Sequence, residues 1–86
     1  METIRLIDSF RNVIATRNSI VYFFESLPHA DLILDFKNIE FISRSAAHEY
    51  LRQKAFSNFS IKEINMSQNV KSMFMVVSSN IKKIIA

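Results

Sequence analysis

The side chains able to do chemistry crowd one stretch of this chain: Asp35, Ser43, Arg44, Ser45, His48 and Glu49. A serine hydroxyl acts either as a nucleophile or as a phosphate acceptor. As a nucleophile it needs a positioned base, and neither His29 nor His48 stands in a motif that ties it to Ser45. As an acceptor at the start of a helix it stands near unpaired backbone N–H groups and the positive end of the helix dipole. Arg44 adds a charge-assisted contact, and a phosphate brings about −1.5 to −2 of charge to the surface. The same residues also have a plainer reading. Ser43 and Ser45 then serve as capping or first-turn residues, and Asp35 accepts backbone N–H bonds in the turn after a strand. His48 and Glu49 become ordinary helix residues among apolar neighbours.

Other chemistries are poorly served. The chain has no Gly, so no glycine-rich loop cradles a phosphate, and no Cys, so there is neither thiolate chemistry nor a disulfide framework. His29 and Asp31 lack an evident third donor for a metal. No enzyme activity, metal or cofactor is therefore expected. The net charge of +3 comes from basic residues scattered along the chain, only Lys82 and Lys83 being adjacent. That distribution points to a solvated basic surface and away from nucleic acid. No apolar run approaches the roughly 18 residues that span a membrane, and METIRLIDSF lacks the pattern of a signal peptide. A cytoplasmic location is expected, in keeping with the missing cysteine.

The elements that must position these residues follow from periodicity. Eighty-six residues, 49% of them hydrophobic, predict a single packed domain over 1–86, with residues 80–86 frayed. Thr3–Ile7 alternates as a short strand, and Val13–Ala15 is expected to return beside it as a hairpin. Thr16 is placed to cap a helix carrying Ile20, Val21, Phe23, Phe24 and Leu27, which Pro28 ends. Leu32-Ile33-Leu34 reads as a strand buried on both faces, closed by Asp35. Ile39, Phe41 and Ile42 carry the connection to a second helix over about 44–56, with Ala46, Ala47, Tyr50 and Leu51 inward. Ile61–Met66 reads as a strand, and Ser67 caps a third helix with Val70, Met73, Phe74 and Val77 on one face. Without glycine, any turn needing positive φ must fall on Asn, Asp or Ser. Strands alternating with helices predict an α/β domain with parallel pairing after the hairpin.

Within that frame Asp35-Phe36, Ile39, Glu40-Phe41-Ile42-Ser43, Ser45, Ala47 and Glu49 stand in the register of a known signature. The stretch resembles the STAS domain of anti-anti-sigma factors, and more closely a compact prokaryotic STAS-like family of unknown function. Thr16-Arg17 before the first helix is similar to that family as well. The resemblance covers about residues 3–79, with its specific motif in 31–51. It implies a mixed sheet with an N-terminal hairpin, then alternating helices and strands, the helices mainly on one face. It also implies a regulatory protein-interaction module that docks on a histidine-kinase-type ATPase or other signalling partner. In anti-anti-sigma proteins the second serine of Asp-Ser-Ser-Gly accepts the phosphate that releases that partner, and this position falls on Ser45. The other motif positions differ, with Ser43, Arg44 and Ala46 in place of aspartate, serine and glycine. Asp35, Ser43, Arg44, His48 and Glu49 would shape the motif or contact the partner. The alternative is a small assembly domain that dimerises or joins a complex through apolar surface, with no phosphoswitch.

Overall fold

A computed structural model of the chain describes the backbone of residues 1–85 and the side chains of residues 1–79. Strand β1 (Glu2–Arg5) leads through a 3-10 turn (Leu6–Asp8) to the two-residue strand β2 (Val13–Ile14) and helix α1 (Arg17–Ser26). Strands β3 (Leu32–Asp35) and β4 (Phe41–Ile42) precede helix α2 (Arg44–Phe56), strand β5 (Ile61–Ile64) and helix α3 (Gln68–Ile85). The fraying expected over 80–86 concerns a tail whose side chains lie outside the described residues.

Each helix begins where a hydroxyl can take up an orphan N–H. Thr16 accepts from Ser19 N at 3.2 Å, Ser43 from Ala46 N at 3.1 Å, and Ser67 from Val70 N at 3.3 Å. Helix α1 stops at Ser26, two residues ahead of Pro28. The absence of glycine is met by asparagine. Asn38 (φ 70°) and Asn65 (φ 59°) take the left-handed positions in the turns after β3 and β5.

The expected N-terminal hairpin does not form, and no pairing is antiparallel among the described residues. Strand β1 lies parallel to β3, β3 parallel to β5, and β2 forms a separate parallel ribbon with β4. The physical reason is at Leu6. Instead of continuing β1, Leu6–Asp8 coil so that Ser9 N and Phe10 N both donate to Leu6 O, and the Leu6 side chain is fully buried. That coil turns the chain away from β1, whose hydrogen bonds go to β3 with Ile4 opposite Leu34. In place of the expected mixed sheet stand two parallel ones, of three and two strands.

Strand β3 is also not buried on both faces. Its row partners place Leu32 and Leu34, both fully buried, with Ile4, Ile61 and Glu63 on the core side. The other side carries exposed Thr3, half-buried Ile33 and exposed Lys62. Helices α1 and α3 both pack against α2. Fully buried Ala46 and Ala47 let α2 approach its neighbours closely. At the centre Phe36, Tyr50 and Phe74 form a mutual aromatic cluster, Tyr50 and Phe74 with centroids 5.0 Å apart.

Candidate functional site

Ser43 and Ser45 divide the work at the start of α2. Ser43 is committed to structure: its Oγ accepts from Ala46 N and donates to Ala15 O at 2.8 Å, while its own N–H donates to Ile14 O. These bonds fasten the helix start to the end of β2, so the serine hangs from the β2–β4 ribbon and not from the three-stranded sheet. Ser45 stands exposed in the first turn, and its one side-chain hydrogen bond among the described residues is a 3.4 Å contact with Ser43 Oγ. Arg44 and His48 are exposed beside it.

Glu49 faces inward and does not present itself to a partner. Its side chain is 1% exposed, receiving Arg17 Nε at 2.9 Å and Gln53 Nε2 at 2.8 Å, with Arg52 at 3.5 Å. Burial pushes the carboxyl up, but the hydrogen bonds of Gln53 and Arg17, with the charges of Arg17 and Arg52, outweigh it and leave the pKa below its ordinary value. The two arginines are themselves more than half exposed, so the carboxylate is covered by side chains and not deep in the protein. The pair ties the first residue of α1 to the middle of α2.

Asp35 stands apart from the serines. Its Oδ1 accepts from Asn65 Nδ2 at 3.0 Å and from Lys37 N at 2.9 Å. The Asn65 bond and then the Lys37 bond hold its carboxyl below the usual value, with burial opposing. It closes the turns after β3 and β5, and none of its hydrogen bonds reaches Ser43, Arg44 or Ser45.

A second polar group escapes sequence reasoning. Tyr50 donates to Glu63 Oε2 at 2.7 Å, and Lys54 Nζ reaches both Glu63 oxygens at 3.1 and 2.8 Å. Burial, then the Glu63 charge and hydrogen bond, push the Tyr50 hydroxyl well above its ordinary value, so it stays protonated. Gln53 and Arg52 were findable as neighbours of Glu49 at helical spacing, and Tyr50 with Lys54 likewise. Arg17 and Glu63 come from distant sequence, and only Thr16-Arg17 carried any signal.

Among the described residues, no group of three or more His, Cys, Asp or Glu gathers to hold a metal, and no helix is long and apolar enough to cross a membrane. No hydrogen bond links Ser45 to a histidine or carboxylate among these residues. The arrangement at the start of α2 offers an exposed hydroxyl, the Arg44 guanidinium in the same turn, and a cap whose bonds to Ala46 N and Ala15 O are made by Ser43, with Ser45 Oγ touching it only at 3.4 Å. Comparison of the chain with family models, curated proteins and solved structures finds no match.

Proposed function

We propose that this chain is a non-catalytic, STAS-like regulatory module of the cytoplasm. It docks on a histidine-kinase-type ATPase or similar signalling protein through the start of α2, and phosphorylation of Ser45 ends the docking. The observation that carries this reading is the division between the two serines. Ser43 makes the cap bonds to Ala46 N and Ala15 O, so a phosphate on Ser45 would replace only the 3.4 Å contact between the two hydroxyls while changing the charge of an exposed surface. Arg44 N and Ser45 N open the helix beside it, and the Arg44 side chain is within the same turn. The switch would then act on the docking surface and not on the fold.

The test is a pull-down from native extract with wild type, Ser45→Ala and Ser45→Glu, and identification of bound proteins by mass spectrometry. An ATPase of that class held by the first two and lost at least tenfold with the glutamate, at unchanged circular dichroism, supports the module. Equal retention by all three removes the switch.

A specific observation favours the assembly reading as second choice. Val13 and Phe41 sit opposite each other on the β2–β4 ribbon, each 43% exposed. If that pair joins subunits, sedimentation of pure protein shows association that Phe41→Ser abolishes and Ser45→Glu leaves alone.

A further inference from the structure

A groove of about 380 Å³ opens where α2, β5 and the start of α3 meet, on the side of α2 that faces α3. Its polar floor is the Tyr50–Glu63–Lys54 group, already satisfied within itself. The charges of Lys54 and Glu63 cancel at 2.8 Å. Lys71 stands on the rim, exposed and with no acidic partner among the described residues, so the groove carries one net positive charge.

The remaining walls are apolar: Leu51, Met66, Phe74 and Met75. Met75 is 69% exposed, an apolar side chain left in water beside a concave surface. Methionine thioethers adapt to a guest and favour contact with ring edges. The tilted Tyr50 and Phe74 rings offer a third ring an aromatic neighbour. The volume lies near the lower end of the range for small-molecule sites, which suits one or two fused rings and not a long chain.

We infer that this groove binds a small aromatic acid, its ring between the methionines and against the Phe74 ring, its anion on Lys71. The cation selects the acid over its neutral counterpart, and the satisfied floor leaves no buried donor or acceptor demanding a polar ring. The site uses none of the residues proposed to contact a partner at Ser45.

The probe is 1-naphthoic acid, titrated into the full chain and followed through backbone amide shifts, with 1-naphthalenemethanol as the neutral control. Saturable shifts at Leu51, Met66, Lys71 and Met75 are expected, with at least tenfold weaker binding by the alcohol. Lys71→Glu, on an exposed helical position, should weaken the acid at least tenfold without disturbing distant amides, and Ser45→Glu should change nothing. Absence of saturation at millimolar probe, shifts centred elsewhere, equal binding of the alcohol, or indifference to Lys71→Glu each overturns the assignment.

Discussion

Asn38 shows how a glycine-free chain turns. With φ at 70°, the residue sits where a Cβ is disfavoured, and asparagine tolerates that region better than most side chains. Asp35 supports the turn through Lys37 N, and Ile39 N closes it on Phe36 O at 2.9 Å. Asn38→Ala should cost about 1 kcal/mol by urea denaturation, and Asn38→Gly should be near neutral. Equal losses from both would mean the Asn38 side chain, not its φ, matters. Glu49 makes a different kind of contribution. Glu49→Ala removes two charge-assisted hydrogen bonds and should cost about 2 kcal/mol, a fall in Tm of roughly 10 °C. The carboxyls of Glu49 and Asp35 are both held below their ordinary values in the folded chain. The folded state therefore binds fewer protons than the unfolded one in acid, and stability rises with pH there. Their contribution is present in full above the unfolded carboxylate range, about pH 5 and higher, and drains away as pH falls through the folded values. Urea midpoints taken from neutral pH downward should fall in that window, less steeply for Glu49→Ala than for wild type. Parallel curves would remove Glu49 from the acid response.

At the scale of elements, the helices and the parallel sense of the later strands were legible, and the partners of the first two strands were not. Thr16, Ser43 and Ser67 mark helix starts by a local rule, the hydroxyl meeting an N–H three residues on, so α1, α2 and α3 begin where the residues say. The same locality makes Ser43 a capping residue in sequence and in structure. Pairing is different, because nothing within Thr3–Ala15 states that Ile4 will lie beside Leu34, or Val13 beside Phe41. Adjacent apolar strands invite a hairpin, and only the burial of Leu6 in its own coil diverts them. The inward turn of Glu49 was hidden for the same reason. A glutamate on a helix reads as surface until an arginine from a distant element arrives to neutralise it. Ser45 was legible as an exposed first-turn serine, whereas Asp35 looked nearer to it than the separate ribbon allows.

For the molecule as a whole, one aromatic core joins the layers. Phe36 leaves β3 fully buried and meets both Tyr50 of α2 and Phe74 of α3. Phe36→Ala should cost about 3–5 kcal/mol, much of the roughly 5–15 kcal/mol that a domain commonly has. Calorimetry should show the transition lowered or lost, and far-UV circular dichroism should report the helices melting with it. Retention of a sharp transition within a few degrees of wild type would place the core's weight elsewhere. The order β1-β3-β5 has a further consequence. Strands β1 and β5 are the outer members of the sheet, and an outer strand offers its backbone as a template to any extended chain. Exposed Glu2, Arg5 and Lys62 lie on those strands. Charged side chains on an outer strand disfavour its pairing with another extended chain, because they would have to give up water at the new contact. A Lys62→Val chain would be expected to keep its fold and yet to seed thioflavin-positive aggregates sooner than wild type, because no cation would then interrupt the edge between Ile61 and Ile64.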